Sequence, residues 1–382
     1  MVDEVLLHKH ILLCGDNYNS LGIIRSLGEK GISPIVILLE EGHCPLVSKS
    51  RYVRRSNLHS VYSFEESVEY LIAHFGNEER KPFVYTTDDW HESYLDRNYE
   101  RLVDHFYFYN CGKVDGVNEL MNKDAICAVA ESCGFRVPKR EVVEKGVLPV
   151  NLHYPVITKT LTSNMGKWKG DVYICRNEAE LIEAYEKIKS PKLLLEEYIE
   201  KKNERDFQGF SINNGNQVSI PFEYTFHRLS EKTFGYYHVF SAMQDGLLKE
   251  KLTQLIRKCR FSGLFEIEFL IDRNGEMYFL EVNFRSSAFN YPNTYGGANL
   301  PFLWSSSMLM GMLNEEGTLL PHFNSIDAFS DFSQSVLSGK INIFHWAKDV
   351  VKANVYYIFD RRDQRPFWRF MWYKLMKKNK KK

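Results

Sequence analysis

Cysteine gives the first exclusions. The 382-residue chain has seven, an odd number with no Cys-x-x-Cys pair among them, which argues against a disulfide framework and against a zinc ribbon. No apolar run is long enough to cross a bilayer, and the opening Met-Val-Asp-Glu is not a basic segment followed by an apolar stretch. Neither a spanning helix nor a cleaved leader is expected, and a reducing cytoplasm is the expected home. A Gly-x-x-x-x-Gly-Lys-Ser/Thr phosphate loop is also missing, and the turn from Gly15 to Gly22 lacks the Gly-x-Gly-x-x-Gly spacing of dinucleotide-binding folds. That removes the main support for a nicotinamide-dependent oxidoreductase. No internal repeat stands out, and low complexity is confined to the C-terminal lysine run. Net charge is zero, but residues 361–382 hold ten Lys/Arg and one acid, leaving 39 basic and 48 acidic residues in the first 360. An acidic body excludes general nucleic-acid binding, which needs a basic surface.

What is present is an ordinary soluble composition, 44% hydrophobic and 26% charged, long enough for two or three domains. Ile11 to Cys14, a helical stretch from Ser20 to Glu29 and Pro34 to Leu38 make a β-α-β unit. Arg51-Tyr52-Val53 as a short strand, a helix capped by Ser63 and the strand Phe83 to Tyr85 extend it into a parallel sheet with helices. Thr86-Thr87-Asp88-Asp89 then sits at a strand's C-terminal end, where open α/β sheets place ligands, although paired aspartates also serve as loop and helix cap. Asn122 caps a helix running to Cys133, with Gly134 beyond it, and places Lys123 in the first turn against the helix dipole. Pro155 to Lys159 and Leu193 to Ile199 read as strands, as do Phe207 to Ile212 and Gln217 to Thr225 about an Asn-Asn-Gly-Asn turn. The loop Leu161 to Asp171, with Gly166, Lys167, Lys169 and Gly170, could cover a phosphate or be an ordinary basic surface loop. A helix from Gly246 to Arg260 carries an apolar stripe at Leu248, Leu252, Leu255, Ile256 and Cys259.

Gly263 to Asn283 holds the most chemistry. Two alternating runs flank Asn274-Gly275, a dipeptide suited to a type I′ turn. A turn centred there pairs Glu268 with Glu281 and Glu266 with Asn283 on one face, and puts Ile267, Phe269, Leu280 and Val282 behind them. Like charges placed opposite each other call for a cation. A hard divalent ion suits carboxylate and amide oxygens; the pattern equally allows a hairpin whose acids face water. Arg285 falls on the same face, and an apolar helix containing Phe302, Leu303, Met308, Leu309 and Met312 is expected to pack the hairpin's rear.

The ordered set Lys123, Lys159, Glu196-Glu197-Tyr198-Ile199, Glu204 and Gly-Leu-Phe-Glu-Ile-Glu-Phe … Phe-Leu-Glu-Val-Asn-Phe-Arg resembles the ATP-grasp superfamily over residues 112–312. The resemblance implies an α/β and α+β multidomain chain: a Rossmann-like parallel α/β domain at residues 1–111, the ATP-grasp domain at 112–314 and a C-terminal extension at 315–382. It implies that Lys123 and Lys159 approach the phosphates of ATP, Lys159 also near the adenine edge. Glu196 and the backbone of Tyr198 and Ile199 would contact adenine, Glu204 the ribose, and Arg228 a further phosphate. Glu268, Glu281 and Asn283 would hold Mg²⁺ or Mn²⁺, with Arg285 on the transferred phosphoryl group. Glu266 receives no role. The likeness is to carboxylate–amine ligases of the D-aspartate ligase type and, more distantly, to the carbamoyl-phosphate synthase large chain.

The expected function is therefore ATP-dependent joining of a small carboxylate to an amine through an acyl phosphate, on an amino acid or cell-envelope precursor; the alternative is an ATP-binding scaffold without turnover. A homodimer is left open. Residues 365–382 interleave aromatic and basic side chains, which suits either a peripheral contact with the inner face of a membrane or a last packing helix with a lysine end.

Overall fold

Continuous apolar runs favour strands buried on both faces, and the first sheet is built from four of them. The computed structural model describes residues 2–40, 45–162, 170–229, 235–288, 290–315 and 317–379. His10–Cys14 (β1), Ile35–Leu39 (β2), Leu58–Val61 (β3) and Phe83–Thr86 (β4) pair in parallel in the order β3-β2-β1-β4. The Tyr18–Glu29 helix connects the first two; Asn17 caps it by accepting from Ser20 N–H, and Ser20 Oγ donates to the Gly15 carbonyl. The short strand expected at Arg51 to Val53 is instead a turn. Its backbone donors are taken locally, Arg51 N–H by the Asp363 side chain, Tyr52 N–H by Ser50 Oγ and Val53 N–H by the Ser50 carbonyl, so none is left for a ladder. The third strand forms seven residues on.

A second, antiparallel sheet contains Arg140–Glu144 (β5), Val156–Thr160 (β6), Ile174–Cys175 (β7) and Lys192–Glu197 (β8) in the order β5-β8-β6-β7. The third holds Lys201–Ile212 (β9), Gln217–Arg228 (β10), Tyr237–Ala242 (β11), Gly263–Asp272 (β12), Met277–Asn283 (β13), His322–Ile326 (β14) and Val355–Tyr356 (β15). Their order is β13-β12-β9-β10-β11-β14-β15, so this sheet continues past residue 314 and draws the C-terminal extension into the body.

The Leu300–Met310 helix, with Pro301 in its first turn, touches β9 and β12 as expected and also faces the first sheet. Trp304 lies edge-on to Phe83, Tyr85 and Tyr109, and Tyr85 and Ser305 share a hydroxyl hydrogen bond. Gly311, in the left-handed region at φ 67°, ends this helix, leaving Met312 outside it and exposed. The first and third sheets thus share one apolar core.

Candidate active site

β12 and β13 form the site's floor. Glu266 pairs with Asn283 and Glu268 with Glu281, as the alternation predicts, but the turn differs. Gly275 has φ 85°, whereas Asn274 is not among the left-handed residues, and Gly275 N–H donates to the Asp272 carbonyl. Asp272 Oδ1 accepts from Asn274 N–H at 2.8 Å and Glu276 N–H at 2.9 Å, closing a three-residue loop in place of the type I′ turn. A one-residue bulge between Glu268 and Phe269 offsets that change, since Phe269 pairs with Phe279. Leu280 is thereby turned from the expected apolar rear into the site cavity, and Phe279 takes the core position.

β9 supplies a second acidic row. Asp206 lies opposite Glu268, Gln208 opposite Glu266, and Glu204 opposite Leu270. Glu266 is the hub of a buried network: Gln208 and Ser287 donate to it at 3.0 Å, Asn283 at 3.3 Å, and Tyr224 through its hydroxyl. Asn283 also donates to Glu268 at 2.6 Å and accepts from Arg285 at 3.1 Å, while Arg285 Nε reaches Asp89 at 2.6 Å. Asp89 begins the helix Asp89–Arg97, whose cap is Asp88, so the C-terminal end of β4 does deliver a side chain to the site.

Lys123 stands in the first turn of the Lys123–Ser132 helix, whose cap Asn122 accepts from Asp124 and Ala125 N–H. It is not an exposed lysine: its ammonium pairs with Glu281. Lys159, on β6, pairs with Glu196 on β8, and Lys201 with Glu204. The backbone N–H of Tyr198 donates to the Pro155 carbonyl, placing Tyr198 and Ile199 in the connection from β8 to β9.

Electrostatics follow the burial. Desolvation, with Glu281, Glu266 and Glu204 nearby, pushes the Glu268 carboxyl well above its ordinary range, and burial beside Glu268, Glu204 and Glu266 does the same to Asp206. Burial also raises Glu204 against the pull of Lys201. Glu281 goes the other way, held down by Lys123. Burial alone would lower Lys123 and Arg285; neighbouring carboxylates, Glu281 for the first and Asp89 and Glu266 for the second, hold both above their usual values.

Two cavities meet here. One of about 230 Å³ runs from the cluster toward Tyr18, Asn19 and Asp89, and one of about 190 Å³ toward Lys159, Thr160 and Leu280. Lys123, Glu268 and Glu281 line both.

The structure therefore brings together Lys123, Glu204, Glu268, Glu281, Asn283 and Arg285, with Lys159 and Glu196 adjoining. Arg228 is not among them. Its guanidinium is held by Asp331 at 2.6 Å and by Asp349, joining β10 to the C-terminal segment. Gly166, Lys167 and Lys169 of the candidate lid lie outside the described residues. Sequence reasoning missed Asp206 because it began the strand at Phe207, and it placed Gln208 and Tyr224 in strands without a role because neither is charged. Extended back to Lys201, the alternation Glu204-x-Asp206-x-Gln208 places Asp206 opposite Glu268 and Gln208 opposite Glu266, while Tyr224 reaches Glu266 from β10.

Residues 119–290 match the family described as carbamoyl-phosphate synthase L chain, ATP binding domain. N5-carboxyaminoimidazole ribonucleotide synthase of Staphylococcus aureus (strain COL) is 29% identical over 137 residues, 34% of this chain and 34% of that protein. The chain thus spans about a third of the length of that curated relative in the matched region. The solved structure of the Staphylococcus aureus N5-carboxyaminoimidazole synthetase complexed with ADP superposes with a TM-score of 0.64 at 18% identity, covering 85% of this chain and 84% of that one. L-amino acid ligase from Bacillus licheniformis gives 0.61 at 15% identity, covering 83% and 79%. At these identities the likeness is one of fold.

Proposed function

We propose that the chain, which matches the carbamoyl-phosphate synthase L chain ATP-binding family over residues 119–290, is an ATP-dependent carboxylate–amine ligase of the ATP-grasp superfamily. One observation carries the reading: Lys123, Glu268 and Glu281 are the common wall of two cavities. A nucleotide in the cavity toward Lys159 would present its terminal phosphate at that wall, and a carboxylate in the other would meet it there. The carboxylate oxygen attacks the γ-phosphorus, the bond to the β-phosphate oxygen breaks and ADP leaves. The amine then adds to the acyl phosphate and expels phosphate, leaving an amide. Such transfer needs alignment and charge stabilisation rather than a protein nucleophile.

Lys123 and Lys159 are assigned to the phosphates, Glu196 with the backbone of Tyr198 and Ile199 to adenine, and Glu204 to the ribose. Arg285, fixed by Asp89 and Asn283, steadies the moving phosphoryl group. Among the described residues no three His, Cys, Asp or Glu side chains converge as a self-sufficient metal cage. The donor set of Glu268, Glu281 and the Asn283 amide is instead the partial, all-oxygen set through which Mg²⁺ is usually held together with substrate phosphates, and Mn²⁺ fits the same oxygens. When bound, the ion neutralises charge on the β- and γ-phosphates. Arg228 is left out of the assignment because Asp331 and Asp349 hold it.

The test is ADP release with Mg-ATP across small acids and amines, singly and in pairs. Release that needs both partners supports the ligase, with Glu281→Gln lowering turnover by about 10²–10³-fold. Nucleotide binding with no acid-dependent ADP release, or full turnover in Glu281→Gln, overturns it.

A further inference from the structure

Two helices near the C-terminus are apolar on the side that faces away from the body. Ile343–Lys352, capped by Asn342, turns Trp346 and Val350 inward and leaves Phe344 84% and Val351 81% exposed, with Lys348 and Lys352 exposed on the same helix. Arg365–Asn379 packs Phe367, Phe370 and Tyr373 against Leu46, Ile358 and Phe329, while Trp368 is 61% and Trp372 58% exposed, followed by Leu375 and Met376. The two helices flank one cavity of about 520 Å³, lined by Trp346 and Val350 from the first, Phe367 from the second, and Phe329 and Phe332 between them. Trp368 stands at its rim, its ring 5.1 Å from that of Phe367.

Charge singles out what would cover this face. Residues 361–382 carry ten Lys/Arg and one acid. That acid, Asp363, is buried and bound to Arg25, so it does not offset the surrounding bases. The rest of the chain is acidic and would be repelled by an anionic surface, which leaves this corner as the approach. Aromatic side chains with bases beside them suit the headgroup level of a bilayer, and Leu375, Met376, Phe344 and Val351 suit the hydrocarbon just below. Nucleic acid would use the bases but gives no reason to display aliphatic side chains; a second copy of the chain would bring the same positive charge. We propose that this corner is a docking surface for anionic phospholipid bilayers, the Arg365–Asn379 helix lying in the interface with Trp368 and Trp372 at headgroup depth and Phe344 and Val351 of the neighbouring helix inserting beside it. The proposal is independent of the ligase assignment, because none of these residues touches the site.

The experiment is co-sedimentation of the full chain with phosphatidylcholine vesicles containing either no charged lipid or about 30 mol% phosphatidylglycerol. Partition into the anionic vesicles is expected to be at least about tenfold higher, to fall as salt is raised, and to drop about tenfold in Phe344→Ser/Trp368→Ser/Trp372→Ser. Tryptophan fluorescence quenching by brominated acyl chains should weaken in Trp368→Phe/Trp372→Phe, at unchanged melting temperature. Failure of the wild-type chain to bind anionic vesicles overturns the proposal, as does equal binding by the triple variant. So does a dimer in sedimentation velocity that the triple substitution dissociates, or an oligonucleotide that competes the chain off vesicles and binds the triple variant unchanged.

Discussion

At the scale of the residue, the clearest revision concerns Glu266. Its register was legible from the alternation, its purpose was not: four donors from β9, β10, β13 and the segment beyond converge on one buried carboxylate. It touches neither a basic partner nor the shared cavity wall, and it fixes Asn283, which carries an amide oxygen of the donor set. Glu266 is a positioning residue. Glu266→Gln is expected to weaken Mg²⁺ activation about tenfold, as loss of supporting partners does at metal sites, while KM for ATP at saturating Mg²⁺ stays within about twofold; initial rates over a Mg²⁺ series separate the two. A second residue sets a pH limit. Burial brings His10, stacked on Tyr85 and bonded to its hydroxyl at 2.8 Å, down to a pKa of about 4. Between that value and the ordinary one the unfolded chain takes up a proton that the folded chain refuses, so stability falls as pH falls. From about pH 7 to pH 5 this residue costs about 2 kcal/mol, and urea unfolding of His10→Gln at the two pH values should show a correspondingly smaller difference.

At the scale of the element, the hairpin shows how a sequence can be read correctly for one reason and wrongly for another. Alternation fixed Glu268 opposite Glu281 because facing acids and a buried rear tolerate no slip. The turn escaped the reading because the side chain of Asp272, not the Asn-Gly dipeptide, organises it, and a bulge at Leu280 then restores the register. Periodicity reports faces; it carries no signal for a local side-chain bond that adds one residue and another that removes its effect. Gly275, with φ 85° and open space where a Cβ would stand, pays only for conformation when replaced. Gly275→Ala should lower stability by about 1 kcal/mol and Gly275→Asn by less, with turnover unchanged, since the bulge isolates the acids from the loop; chemical denaturation and ADP release measure the two effects separately. The same limit explains β9, where Lys201 to Asp206 carry no apolar alternation to mark them although they are a strand whose inner face is the acidic row.

At the scale of the whole molecule, the ends of the chain are locked together. Arg25 of the first helix after β1 is 1% exposed and donates to Asp363 at 3.1 Å and to the carbonyls of Tyr357 and Ile358, while Asp363 also accepts from Ser50 and from Arg51 N–H. Nothing in a sequence marks two charges that meet across more than three hundred residues, so the tail read as an appendage. Removing one partner strands the other charge in the core: Asp363→Ala is expected to cost about 3–5 kcal/mol, seen as a lower melting temperature, with loss of the third sheet's last strands among the first amides to exchange. The acids that crowd the larger cavity have a wider reach. Asp89, Glu204, Asp206, Glu266, Glu268 and Glu281 line it, against Lys123 and Arg285 as the only cations there among the described residues, and both are already partnered. A substrate approaching through it meets no open positive field, so long-range steering is weak and a small, singly charged acid is expected to enter more readily than a polyanion.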